Sequence, residues 1–178
     1  MKQIILTVLI VLIFPMLAFA QTTKNTNSPR ETPLFDLDIS GSSGNYNGST
    51  YSELHMGLNL NFTDWLIWRN AAFKRFSSNS TQDLTGLDSS LRFTLNNKFD
   101  GGGLKFFAGP GYRWADKSDK NAIFGEAGAS ISLGRFSLGG GAKYLRYDKT
   151  QLDSSGLETK RDDLNYFITI AGGAGLSF

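Results

Sequence analysis

The chain has 178 residues, with 18 Lys and Arg against 16 Asp and Glu, a formal net charge of +2, no cysteine and one histidine. The balanced charge predicts no nucleic-acid partner, and a chain without cysteine has no disulfides and no cysteine–metal sites. A single histidine also excludes multi-histidine metal centres, so we expect no metal and no cofactor.

Residues 1–20 are predicted to form a cleaved secretory signal peptide. Lys2 supplies the positive start, an uncharged apolar run extends from Ile4 to Leu17, and Ala18-Phe19-Ala20 places small residues at the cleavage site. An uncleaved membrane anchor is the alternative, but Pro15 interrupts the run and the cleavage motif follows it directly. The sequence therefore predicts export.

Residues 21–32 are polar and aperiodic, which predicts a flexible periplasmic tail, and residues 33–178 are predicted to form one β-barrel domain. In that domain apolar residues alternate with polar ones, the pattern of strands with one apolar face. The eight predicted strands are Phe35–Ile39, Leu54–Phe62, Trp65–Phe76, Leu87–Leu95, Leu104–Trp114, Ile123–Leu133, Phe136–Tyr144 and Tyr166–Phe178. An even number of strands, most of them near the ~9–11 residues that cross a bilayer, predicts an all-β, antiparallel, up-and-down transmembrane barrel.

The connections between these strands alternate between long and short. The odd-numbered connections, at 40–52, 76–84, 115–122 and 147–164, are longer and rich in polar residues. The even-numbered connections, at 63–64, 97–102 and 134–135, are mostly tight. With a periplasmic N-terminus, this separation predicts short periplasmic turns and longer extracellular loops.

Aromatic residues are predicted to form two belts at the two membrane interfaces. At the turn ends lie Phe35, Phe62, Trp65, Phe136 and Phe178. At the loop ends lie Tyr51, Tyr112, Trp114, Tyr144, Tyr147 and Tyr166.

The C-terminal segment, with Gly173, Leu176 and a final Phe178, resembles the assembly signal of bacterial outer-membrane barrels. From Pro33 to Phe178 the chain resembles the small eight-stranded OmpA/OmpX-type barrels of Gram-negative outer membranes. The resemblance implies a monomer in the outer membrane, surrounded by membrane lipid and lipopolysaccharide and inserted by the barrel-assembly machinery. A soluble lipocalin-like barrel, with its apolar face turned inward around a ligand, is the main alternative fold.

The barrel interior is predicted to contain a structural network of five acids and five bases. The acids are Asp36, Asp38, Glu53, Asp88 and Glu126, and the bases are Arg69, Arg92, Lys105, Arg113 and Lys143. Matched numbers favour mutual pairing over a pore lined by one sign of charge, because an unpaired buried charge costs several kcal/mol. In the third strand we place Arg69 inward, since the opposite register exposes it to lipid at roughly 2–4 kcal/mol.

These features predict a barrel with a plugged polar interior and a structural, envelope-integrity or surface-interaction role. The extracellular loops would carry the interaction, above all the mixed-charge loop at 147–164. A small, porin-like channel or transport barrel is the first alternative.

A lipid-A-modifying enzyme is the second alternative, because His55 lies near Ser52, Glu53, Asp88 and Ser89 in the predicted sheet. However, alternation places the histidine in the interior, Ser52 at the loop end and Ser89 toward lipid. We therefore expect no enzymatic activity.

Overall fold

The computed structural model describes residues 34–46, 48–78, 83–100, 102–133, 136–149 and 161–172, and these form a closed eight-stranded antiparallel barrel. The strands are β1 (Phe35–Tyr46), β2 (Ser49–Asn61), β3 (Leu66–Ser77), β4 (Leu84–Phe99), β5 (Gly102–Ala115), β6 (Ala122–Leu133), β7 (Phe136–Tyr147) and β8 (Asp162–Gly172). A short 3₁₀ helix, Ser118–Lys120, lies between β5 and β6. Over these ranges, no helix is long and apolar enough to cross a membrane. The predicted fold class is confirmed.

The barrel closes because β1 pairs with β2 on one side and with β8 on the other. Each strand therefore has two hydrogen-bonded neighbours, which leaves no open sheet edge in the wall. We call the end at which β2 is followed by β3, β4 by β5 and β6 by β7 the turn end. The opposite end, at which β1 is followed by β2, β3 by β4, β5 by β6 and β7 by β8, is the loop end.

Side chains alternate between a polar interior and an apolar outer surface. The outer surface is strongly exposed, with Leu95 at 76% and Phe136 at 71% of full exposure, whereas charged residues such as Arg113 and Glu126 are buried inside. This orientation is the reverse of a lipocalin-like barrel, and that alternative is wrong for this chain.

The first hairpin differs from the prediction of a long polar loop at 40–52. Strands β1 and β2 continue in register to the Tyr46–Ser49 pair, and Gly48 adopts a φ of 76° in the tight turn. Ser40 and Ser42 are buried inside the barrel in this extension. The prediction failed because it searched for apolar alternation, and here the alternating residues are small and polar.

The aromatic residues predicted at the belts divide between the two faces of the wall. Phe62, Trp65, Phe136, Trp114, Tyr144 and Tyr166 are exposed, and Phe35 and Tyr112 are half-buried. Tyr51, at 2% exposure, and Tyr147 lie inside the barrel instead. Their assignment to the loop-end belt is wrong, because each occupies the inward parity of its strand. Tyr51 shares that parity with Glu53, and Tyr147 shares it with Lys143.

Several predictions fall outside the residues that the structure describes. They are the signal peptide at 1–20, the tail at 21–32 and the assembly signal of Gly173, Leu176 and Phe178. Strand β8 is described from Asp162 to Gly172. It therefore begins four residues before the predicted start at Tyr166, and this shift moves Asp163 from a predicted loop into the wall.

Candidate functional site in the barrel interior

Toward the turn end, strands β1, β2 and β3 contribute one group of polar residues. Arg69 donates from Nε and Nη2 to the two oxygens of Asp38, at 2.9 and 2.6 Å. Asn59 Nδ2 donates to Asp38 at 2.8 Å and to Asp36 at 2.7 Å. The structure thus places Arg69 inside the barrel, at 3% exposure and with a carboxylate partner.

A second group joins β4 to β6. Glu126 accepts hydrogen bonds from Ser90 Oγ at 2.6 Å and from Arg92 Nε and Nη2 at 2.8 and 3.0 Å. The Arg92 guanidinium also lies over the ring of Phe107, 4.5 Å from its centroid. A planar guanidinium can bind both oxygens of a carboxylate and stack on a ring face at the same time.

At the centre, Arg113 binds two carboxylates at once. It donates to Asp88 at 2.7 and 2.8 Å and to Glu53 at 2.8 and 3.0 Å. Lys143 adds a bond of 2.7 Å to Asp88. These side chains are buried, so their attraction is poorly screened and each charge requires its partner.

The single histidine lies between these two carboxylates. His55 Nε2 is 3.1 Å from Glu53 and its Nδ1 is 3.8 Å from Asp88. Ser52 and Ser89 belong to the outward parity of their strands, and the Ser89 hydroxyl accepts a hydrogen bond from Trp68 Nε1 at 2.9 Å. The structure therefore does not bring His55 together with either serine.

At the loop end, a group of four residues extends the network and was missed by sequence reasoning. Arg75 donates to Glu53 at 2.7 Å, to the Tyr147 hydroxyl at 3.0 Å and to Asp163 at 3.3 Å. Asp163 also accepts hydrogen bonds from Tyr51 at 2.8 Å and from Tyr147 at 3.0 Å. Arg75 shares the inward parity of Arg69, and that signal was available in the sequence.

The 3₁₀ helix between β5 and β6 brings Lys120 to this mouth of the barrel. Its ammonium lies 4.8 Å from the ring centroid of Tyr46 and 5.6 Å from that of Tyr147. Burial lowers the pKa of this ammonium, and the carboxylate of Asp119, 3.7 Å away, acts in the opposite direction. A cation over two tyrosine rings covers the mouth from the loop side.

The predicted interior charges are not equally buried. Asp38, Glu53, Arg69, Asp88, Arg113, Glu126 and Lys143 are buried, whereas Asp36, Arg92 and Lys105 are half-buried. Burial is thus deepest at the centre and decreases toward the turn end.

The cavity that the described side chains enclose beside His55 is small. A cavity of about 10 Å³ lies between Ser40, His55, Arg92, Glu126 and Lys143, with Ser42, Arg69, Asn165 and Phe167 completing its lining. That volume is about the size of one water molecule. Within the described part of the chain, no group of three or more His, Cys, Asp or Glu residues could hold a metal ion.

Comparisons with known proteins give likenesses of fold alone. No family model and no curated protein matches the chain. Among solved structures, the outer membrane enzyme PagL is similar over 75% of this chain and 97% of its own, with 15% identity and a TM-score of 0.52. Neisserial surface protein A (NspA) is similar over 78% of this chain and 94% of its own, with 10% identity and a TM-score of 0.52.

Proposed function

We propose that this protein is an outer-membrane β-barrel with a closed polar interior, serving a structural or surface-interaction role through its loop-end residues. The observation that carries the proposal is the network of paired charges that fills the barrel. Its ion pairs include the carboxylates of Asp38, Glu126, Asp88, Glu53 and Asp163.

The outer surface supports a position in a membrane. Leu37, Ile39, Met56, Phe93, Leu95, Ile168 and Ile170 are all exposed on it. Contiguous apolar surface of this extent is unfavourable in water and suits hydrocarbon. The two structural neighbours are an outer membrane enzyme and a Neisserial surface protein, and this supports the outer membrane as the location. Membrane lipid and lipopolysaccharide would then surround the barrel.

The interior supports a closed barrel rather than a pore. Eight strands enclose a space that side chains can fill. Here Arg113 binds two carboxylates at once, and the cavity between His55 and Glu126 holds about 10 Å³. Passage of an ion would require several of these buried pairs to separate together, which is costly.

Conductance across a planar lipid bilayer tests this proposal. The purified mature chain should produce no steady single-channel steps, because the paired charges block the interior. Steady steps whose size changes in an Arg113→Gln variant would identify a conducting pathway through the network and favour the channel alternative.

The fold resembles that of PagL, an outer membrane enzyme, so an enzyme is the second candidate, and lipid A of the surrounding membrane is the substrate to test. The position of His55 argues against it, because both ring nitrogens face buried carboxylates on the inner side of the wall. We therefore expect the same mass spectrum of lipid A from cells with and without the protein. A changed spectrum that reverts on complementation would establish the enzyme.

A further inference from the structure

The hydrogen-bonded wall is interrupted at one place in the described residues. Strands β4 and β5 pair as far as Ser90–Gly111 and again from Phe93–Ala108, but not between these pairs. The other ladders run without a gap over their described lengths. We call the interrupted stretch the seam; it consists of Leu91, Arg92, Gly109 and Pro110.

Proline accounts for the interruption. The β4–β5 register places Pro110 opposite Leu91, and proline has no N–H to donate to the Leu91 carbonyl. That carbonyl oxygen lies over Gly109, at the place where a Cβ would clash with it. Leu91 and Pro110 are exposed on the apolar outer surface, where lipid offers the carbonyl no other donor. The wall is therefore locally weaker here than along an intact ladder.

On the inner face, one charged group spans the seam. Ser90 and Arg92 on β4 both donate to Glu126 on β6, with three bonds of 2.6 to 3.0 Å. Between them on β5 lies Gly109, which pairs with Glu126 and has no side chain to obstruct the contact. We call Ser90, Arg92 and Glu126 the Glu126 bridge. It connects the two strands that flank β5 directly behind the missing backbone bond.

We propose that the seam is the point at which the barrel wall opens laterally, and that the Glu126 bridge holds it closed. The missing N–H at Pro110 lowers the work needed to separate β4 from β5. The bonds to Glu126 compensate, because β4 cannot move away from β5 without breaking them. Loss of the bridge should therefore increase local opening at the seam more than elsewhere in the barrel.

The chain contains a matched control for this proposal. Asp38 on β1 and Arg69 on β3 form a buried pair across β2, and Gly57 on β2 is the glycine that leaves room for it. The ladders on both sides of β2 are uninterrupted. The Asp38–Arg69 pair and the Glu126 bridge thus share the same chemistry, an arginine bound to a carboxylate across one intervening strand, and differ in the wall that they cross.

Hydrogen–deuterium exchange, measured by NMR on the mature protein in lipid nanodiscs, tests the proposal. In the unmodified protein, amides of residues 90–93 and of Ala108, Gly109 and Gly111 should exchange faster than those at mid-strand positions of the intact ladders. Glu126→Gln should accelerate exchange at the seam by roughly fivefold or more, and Pro110→Ala, which restores an N–H, should slow it by a similar factor. Asp38→Asn should leave the seam unchanged.

Equal protection of the seam and the intact ladders in the unmodified protein would overturn the proposal. So would a Glu126→Gln variant whose exchange rises equally in all strands, or rises at the seam no more than in Asp38→Asn. If Glu126→Gln fails to fold, the Pro110→Ala comparison decides, and unchanged seam exchange in that variant counts against the proposal.

Discussion

Glu53 is the carboxylate that connects the centre of the barrel interior with the group at the loop end. Its oxygens accept hydrogen bonds from Arg75 and Arg113, and His55 lies 3.1 Å away. No part of the Glu53 side chain is exposed, so water cannot replace it. Removing its charge leaves Arg113 with Asp88 as its one carboxylate partner and Arg75 with the more distant Asp163, in a poorly solvated interior.

We predict that Glu53→Gln destabilises the folded barrel by about 3–5 kcal/mol, the cost of breaking a buried ion pair from one side. Urea unfolding in lipid vesicles measures this change. Asp116→Asn is the control, because Asp116 is exposed and accepts a hydrogen bond from Thr85 at the rim of the barrel. An exposed polar contact of this kind contributes about 0–1 kcal/mol to stability. Equal effects of the two substitutions would contradict a stabilising interior network.

Among the elements, the first hairpin depends on backbone conformation at its tip. Strands β1 and β2 have 12 and 13 residues, longer than the apolar pattern indicates, and Gly48 lies at the tip between them. Gly48 has a φ of 76°, a left-handed conformation that costs an L-residue roughly 1–2 kcal/mol. Space is not the constraint, because a Cβ at this position would contact nothing within 4 Å.

We predict that Gly48→Ala lowers the free energy of unfolding by about 1 kcal/mol through backbone strain. Gly41→Ala is the matched control in the same hairpin, because its Cβ also meets nothing within 4 Å and its φ is ordinary. The control should unfold at the same urea concentration as the original chain or slightly above it. If the two variants unfold at the same urea concentration, the left-handed conformation at Gly48 does not contribute to the stability of the barrel.

On the scale of the whole molecule, the barrel has a polar interior and an apolar outer surface. This arrangement favours a lipid environment over water. Met56 is 66% exposed on the outer face of β2, and Ile39 and Ala72, its partners on β1 and β3, face the same way. Thr50 shares the outward parity of Met56 but lies beside the hairpin tip. One strand thus passes from an apolar zone to a polar one on its outer face.

We predict that Met56→Arg impairs folding into lipid vesicles, at a cost of about 2–4 kcal/mol for a cation in the middle of the apolar zone. Thr50→Arg on the same strand should cost about 1 kcal/mol or less, because that position is at the polar margin. The fraction of each variant that is folded in lipid vesicles at equilibrium measures the two costs. A tolerated Met56→Arg would mean that this face does not contact lipid.

The alternation of apolar and polar residues was sufficient to predict which side chains of most strands point into the barrel. This is because successive side chains of a strand point to opposite faces of the sheet. Parity puts Glu53, His55 and Arg113 inside without reference to any other strand. Where apolar alternation ends, as at residues 40–46, the same method predicted a loop in place of a strand. Tyr51 and Tyr147 were misassigned because being aromatic and near a strand end was given more weight than parity.

The sequence by itself determined that the chain forms an even set of strands, with an apolar face and a charged face, that can close into a barrel. Only the tertiary structure decided which charges meet. Arg75 bonds Asp163 from 88 residues away and Tyr51 bonds it from 112 residues away. Such pairings depend on how every strand is aligned with its neighbours around the closed wall. The alternation of residues within one strand does not specify that alignment.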